Sequence, residues 1–382
     1  MTRKTVKRVK TGSVERRFSM AKAGFLAGAK YATASAGSIF TPKDQREARR
    51  KENLSSRAQE LVEELGRLKG SVVKIGQMMA LFGEHFLPEE VTEALHTLEN
   101  QTTALEWPSI ERHLKRELGE VKMAELDIEE TPLGAASLAQ VHKAIRKSDG
   151  KELVLKIQYP GVADAIDSDM RALVRLLKLS RLVPITEQFN LWLDEVREML
   201  QREVDYDLEA HTTRHFRQIL AEDTRFVVPE IVPEYSSHNI MCMTFEHGIS
   251  VTDPSVLKLS QERRNFIGRA IMELCCREVF EWNKMQTDPN FGNYLLRFGD
   301  SPENDQIVLL DFGAIRDFDN EVLGPGREMI RASFHHDSDR LIRALNALDF
   351  LARGAPRRLL DDFCALCFEA IEVLQDPARF PP

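Results

Sequence analysis

Apolar residues recur at spacings of three and four from Leu54 through Leu61, Leu65, Leu68, Val72, Ile75 and Met79 to Phe82. This is the stripe of an amphipathic helix of roughly 30 residues. Pro88 punctuates the stripe, Val91, Leu95 and Leu98 resume it, and a further helix follows Trp107-Pro108 through Ile110, Leu114 and Leu118. The texture changes near residue 126. Pro132 to His142 is rich in small residues and then β-like, Asp149-Gly150 signals a hairpin turn, and Glu152 to Gln158 alternates as a half-buried strand. Helical patterns follow at about 163–182 and 190–220, then an extended, Pro-bounded segment at 227–234 and a strand at 239–245. From about residue 255 the helical period dominates, apart from short strands at 294–297 and 307–310.

On this pattern the chain divides into an arm (1–50), an all-helical extension (51–125), a β-rich half (126–248) and an α-rich half (249–382). That is the layout of an α+β, bilobal protein-kinase-like fold with an N-terminal all-helical extension. The composition, 43% hydrophobic and 29% charged over 382 residues, is that of a globular chain. A net charge of −8 gives no global basic field and no argument for nucleic acid as a partner. The arm is the exception: residues 1–30 carry nine Lys and Arg against the single acid Glu15, which suits an anionic membrane surface as well as a solvated terminus. Lys22 and Lys30 interrupt the small-residue stretch Phe18 to Phe40, which therefore reads as a segment lying on a membrane rather than a signal peptide or a spanning helix. Five cysteines form no disulfide framework, and Cys364 and Cys367 lie in an apolar helical pattern as core cysteines. The expected location is a reducing compartment such as the bacterial cytoplasm, with peripheral membrane association.

Phosphoryl transfer from ATP needs a cationic phosphate cradle, metal ligands and a positioned carboxylate. Asp311-Phe312-Gly313 follows the apolar run Ile307 to Leu310 and presents a Mg²⁺ ligand at a strand end. Upstream, Gln286-Thr-Asp288-Pro-Asn-Phe-Gly-Asn293 spaces Asp288 and Asn293 five apart, as in the kinase catalytic loop, with Pro289 and Gly292 suited to a tight turn. Lys156 sits on a strand, about 20 residues after the small-residue loop Gly134-Ala135-Ala136-Ser137. A carboxylate must hold that lysine; Glu203 is the first candidate and Glu209 the second. Each residue alone has an ordinary structural explanation, as edge-strand lysine, charged helix face, turn former or helix cap. The ordered set does not assemble by chance.

The set resembles the UbiB/AarF/ADCK family of atypical kinases over about residues 60–320. Lys74-Ile-Gly-Gln77 matches that family's K-x-G-Q motif, Gly134 to Ser137 its Ala-rich replacement for the glycine-rich loop, and Glu203-Val-Asp205 its E-x-D motif. Gln286 to Asn293 matches its catalytic loop, with Gln286 where His often stands, and Thr244 falls where the hinge usually has Glu. The resemblance implies an extension packed over the region where a protein kinase binds peptide, with Lys74 and Gln77 reaching the site from one helix face. It also implies Mg-ATP turnover in support of ubiquinone (coenzyme Q) biosynthesis, with prenyl-lipid or quinone-biosynthesis proteins as partners. Lys156 is then the phosphate lysine, Asp288 the catalytic carboxylate, and Asn293 and Asp311 the Mg²⁺ ligands. Two other readings share the residues: a protein or small-molecule kinase, and a nucleotide-gated lipid-binding scaffold that turns over little ATP.

Overall fold

The computed structural model describes residues 71–83, 86–97, 104–180, 186–288, 290–350 and 354–375, with scattered positions before residue 71. The basic arm (Thr5–Val6 apart), the Phe18 to Phe40 stretch, most of 54–70 and Pro289 lie outside the described residues. The chain forms two compact units, Met1–His215 with Pro229–Phe245, and Phe216–Val228 with Glu246–Pro382.

The first unit opens with α1 (Ser71–Phe82), α2 (Glu89–His96) and α3 (Trp107–Ala124). Val72, Ile75 and Met79 of α1 bury the predicted stripe, while Lys74 and Gln77 stay half-buried beside it. The partners of that stripe come from further along the chain. Helices α4 (Val162–Ser180) and α5 (Glu187–Glu203) supply Ile166, Met170, Leu173, Phe189, Trp192, Val196 and Leu200 to the same core. The start of α1 is tied down by a buried hydrogen bond from the Ser71 hydroxyl to the Asp169 carboxylate of α4.

Between α3 and α4 lie the strands β1 (Leu126–Ile128), β2 (Gly134–Ala135), β3 (Ala139–Arg146) and β4 (Glu152–Gln158). The β3–β4 turn is the predicted one: Gly150 takes φ 73°, a left-handed conformation that glycine adopts without strain, and Arg146 holds the Asp149 carboxyl down at about 2. After α6 (Tyr206–Ile219), strand β5 (Phe226–Val227) belongs to the second unit, and the chain returns as β6 (Ile240–Thr244). The sheet order is β1-β3-β4-β6, with β2 on β3 and every pairing antiparallel.

Strand β4 is buried on both faces, not one. Leu153, Leu155 and Ile157 pack against Ile110, Leu114 and Leu118 of α3, while Val154 packs with Tyr206 and Ala210 of α6. The alternation of a strand therefore puts Lys156 on the α6 face. A helical pattern expected to run unbroken over 190–220 is two helices, because the chain breaks at Val204 and Asp205 starts α6 by accepting the Leu208 N–H at 2.9 Å.

A buried polar chain anchors the segment before α3. Gln140 Oε1 accepts the Leu105 N–H at 2.8 Å, Gln140 Nε2 donates to His142 Nε2 at 2.7 Å, and His142 Nδ1 donates to the Glu129 carbonyl at 2.7 Å. Only a neutral imidazole satisfies both contacts, and burial lowers its pKa accordingly. The unfolded chain binds this proton more readily, so the stabilisation is complete above 6.5, the ordinary histidine value, and is lost as the pH falls through the lowered value. Each pH unit in that window is expected to cost up to about 1.4 kcal/mol. Melting temperatures of wild type and His142→Gln between pH 8 and 5 check this; equal slopes for the two would refute it.

The second unit carries β7 (Ile249–Ser250), α7 (Gln261–Phe280), β8 (Lys284–Gln286), β9 (Tyr294–Arg297), β10 (Gln306–Leu309), β11 (Ile315–Asp317), α8 (Asn320–Phe334), α9 (Ser338–Ala347) and α10 (Arg357–Gln375). One sheet runs β5-β10-β9-β7, and β8 pairs with β11 by itself. Segment 216–228 joins this unit, although its sequence position is in the β-rich half, because β5 pairs with β10 and Phe216 packs on Phe312 at 4.9 Å. Cys364 is buried among Ala332, Leu341 and Leu345, with Cys367 packed against the same cluster. Among the described residues no helix is long and apolar enough to cross a membrane.

Candidate active site

In the first unit, the lysine on β4 finds its partner on the helix that covers it. Lys156 Nζ donates to Glu209 Oε1 at 2.7 Å and to Oε2 at 2.8 Å, and lies 5.2 Å from the centre of the Tyr206 ring. The Glu209 side chain is 3% exposed and the Lys156 side chain 19%. The first candidate for this role, Glu203, is elsewhere: it takes Lys74 Nζ at 2.6 Å. This corrects the expected pairing, and the helix break explains it. Glu203 ends α5, beside the α1 stripe, whereas Glu209 lies in the first turn of α6 and faces β4. Lys74 and Gln77 are both half-buried on α1.

The small-residue loop is the tip of the β2–β3 hairpin. Gly134 pairs with Val141 and Ala135 with Gln140, and the Ala136 N–H donates to the Ala139 carbonyl at 2.8 Å. Ala136 is exposed and Ser137 buried. At the end of β6, the Thr244 N–H donates to the Glu230 carbonyl at 2.9 Å, and its hydroxyl accepts the Glu230 N–H at 3.0 Å. The Phe245 N–H likewise donates to Glu152. The Thr244 N–H is thus occupied by a bond within the first unit.

In the second unit, Asn293 and Asp311 line one cleft together with Leu274, Glu278, Gln286 and Tyr294. The backbone sets their approach, since the Leu310 N–H donates to the Asn293 carbonyl at 2.9 Å. Asp311 Oδ1 accepts the Gly313 N–H at 2.9 Å. Asp288 is exposed at the edge of the loop. The turn between it and Asn293 is built by Asn290, whose Oδ1 accepts the Gly292 N–H at 2.9 Å and whose carbonyl accepts the Asn293 N–H at 2.9 Å. Gln286 links the two loops: its Oε1 accepts the Asp288 N–H at 3.2 Å and its Nε2 donates to the Asp311 carbonyl at 3.1 Å. An amide supplies both an acceptor and a donor, so one Gln side chain makes both contacts.

The electrostatics record the same convergence. The Tyr294 hydroxyl is pushed up to about 12, first by burial and then by negative charge that includes Glu278, Asp288 and Asp311. Glu278 is a functional candidate that motif reading missed. It is a buried carboxylate, raised by desolvation and opposed only by the Gln286 N–H it accepts. A carboxylate and an amide oxygen from one cleft are the hard donors that Mg²⁺ takes, so Asp311 and Asn293 fit that ion.

A strand lysine clamped by a helix glutamate, an antiparallel sheet in one unit, and a catalytic-type loop with a following D-F-G in the other define a protein-kinase-like fold. The chain belongs to the ABC1 atypical kinase-like family, whose domain model matches residues 97–345. It is 32% identical over 84% of its length to the probable serine/threonine-protein kinase abkA of Dictyostelium discoideum, covering 57% of that protein. It is 36% identical over 71% of its length to the mitochondrial atypical kinase COQ8 of Saccharomyces cerevisiae, covering 53% of that protein. It thus spans a little over half the length of these relatives. A solved structure described as the Rv3197–erythromycin complex from Mycobacterium tuberculosis is similar with a TM-score of 0.57 and 28% identity, over 87% of this chain and 83% of that one.

Proposed function

We propose that this chain is a Mg-ATP-dependent atypical kinase or ATPase acting in support of ubiquinone biosynthesis. The observation that carries the reading is the Gln286 bridge, which ties the loop of Asp288 to the D-F-G backbone beside Asn293. In this reading Lys156, held by Glu209, binds phosphate, and Asp288 positions or deprotonates the attacking group. Asn293 and Asp311 hold Mg²⁺, which when bound neutralises charge on the phosphate oxygens. Lys74, paired with Glu203, and Gln77 act from the extension. The relatives named COQ8 support the ubiquinone assignment, and the basic arm supports contact with an anionic membrane surface or prenyl-lipid. The defining experiment is incubation with γ-labelled ATP: label released as free phosphate supports hydrolysis, and label retained on a protein or small-molecule acceptor supports kinase action.

The Ala-rich hairpin is the feature expected to set nucleotide preference. Ala135 is a strand residue in a tip that closes on itself, and glycine there releases backbone freedom. Ala135→Gly is expected to change nucleotide affinity or ATP-over-ADP selectivity by about tenfold, roughly 1.4 kcal/mol. Unchanged titrations with both nucleotides would remove the hairpin from the site.

A further inference from the structure

Helix α7 buries a stripe at Ile267, Ala270 and Leu274, and the next position on that stripe is Glu278. A carboxylate in such a place, 6% exposed, is costly unless something pairs with it. A backbone group pairs with it: Glu278 Oε2 accepts the Gln286 N–H at 3.0 Å. The intervening chain is pinned as well. Arg327 of α8 donates to the Val279 carbonyl at 2.6 Å and to the Asn283 side chain, and Asn283 turns with φ 52°. Gln286 is thereby fixed at its backbone by a buried acid, while both ends of its side chain reach the neighbouring loops. Strand pairing joins 284–286 to 315–317, Thr287 bonds to Ala314, and the Gln286 side chain links this loop to Asp311 itself.

We propose that Glu278 is a positioning residue: its buried carboxylate fixes Gln286, and through the Gln286 side chain it sets the placement of Asp288 relative to Asp311. The functional consequence rests on the reading that these two residues serve ATP turnover; the structural coupling does not. What Glu278 supplies is an acceptor oxygen at one point, so a neutral amide of the same shape can replace it and an apolar side chain of similar volume cannot.

The test is hydrogen–deuterium exchange on the full chain, with ATPase kinetics beside it. Glu278→Leu is expected to quicken exchange about tenfold or more both in peptides spanning 284–288 and in those spanning 311–316, with 294–297 and 306–309 unchanged. It should lower kcat about tenfold or more with KM for ATP within about twofold, while Glu278→Gln stays within about twofold of wild type in both readouts. Quickening confined to 284–288, or a Glu278→Gln protein as defective as Glu278→Leu, overturns the proposal. Should Glu278→Leu fail to fold, Gln286→Met cuts the same link with Glu278 intact, and unchanged exchange at 311–316 in that variant overturns it equally. A wild-type protein without ATP turnover defeats the functional reading alone, since the exchange arm still decides the coupling.

Discussion

Asp311→Asn is expected to lower ATP turnover by about 10²–10³-fold while leaving the melting temperature within about 2 °C of wild type. The two halves of that expectation have separate physical origins. The substitution keeps shape and keeps an acceptor: the Gly313 N–H, now on Asp311 Oδ1 at 2.9 Å, meets an amide oxygen instead, and the Asp311 carbonyl still receives Gln286 Nε2. Packing is untouched, because the buried side chain of the motif is Phe312, seated on Phe216. What disappears is one negative charge beside Asn293, in a cleft whose charge already raises Tyr294. Losing it weakens the hold on a divalent cation, and with the cation goes the positive charge that would balance the phosphate oxygens, on which phosphoryl transfer depends for most of its catalysis. Steady-state hydrolysis over a Mg²⁺ titration is the measurement, and raised Mg²⁺ should recover part of the loss. Full turnover at low Mg²⁺ would sink the assignment of Asp311 as a metal ligand.

The elements that proved legible were those whose period repeats. The α1 stripe of Val72, Ile75 and Met79, the Asp149-Gly150 hairpin and the strands around the D-F-G all follow from side-chain alternation and turn chemistry, which are local. What escaped depended on contacts made far along the chain. Whether Glu203 or Glu209 meets Lys156 turns on a break at Val204, and the apolar register Val196, Leu200, Val204 runs into that break without marking it. The bonds of Thr244 to Glu230, fourteen residues earlier, likewise come from a pairing that no side-chain pattern encodes. Glu278 did leave a signal. It occupies an apolar helical register, 267, 270, 274, 278, and an acid on that register is either a folding cost or a used group. A search for motifs passes over it because its neighbours in sequence are unremarkable in type.

The exchange of partners between the two glutamates carries the other large effect. Lys156 and Glu209 form a pair bonded through both carboxylate oxygens, 19% and 3% exposed, whereas Lys74 and Glu203 are 22% and 33% exposed. Removing one member of the first pair strands a charge away from water, a loss of about 3 kcal/mol, whereas the second pair is expected to contribute about 1 kcal/mol or less. Glu209→Ala should therefore lower the denaturation midpoint clearly, and it should also cut nucleotide turnover about 10²-fold, because a lysine no longer held on the β4 face stops presenting its ammonium at a fixed point. Glu203→Ala should leave Lys156 in place and act through Lys74 alone. Two double-mutant cycles separate the cases without assuming the size of either single effect. Lys156 with Glu209 should couple by about 2 kcal/mol or more and Lys156 with Glu203 by less than about 0.5 kcal/mol, in the same stability measurement. Coupling of Lys156 to Glu203 and not to Glu209 would mean that α6 sits differently on the sheet, and Lys156 would then lose its claim to be an oriented phosphate ligand, since that orientation comes from Glu209.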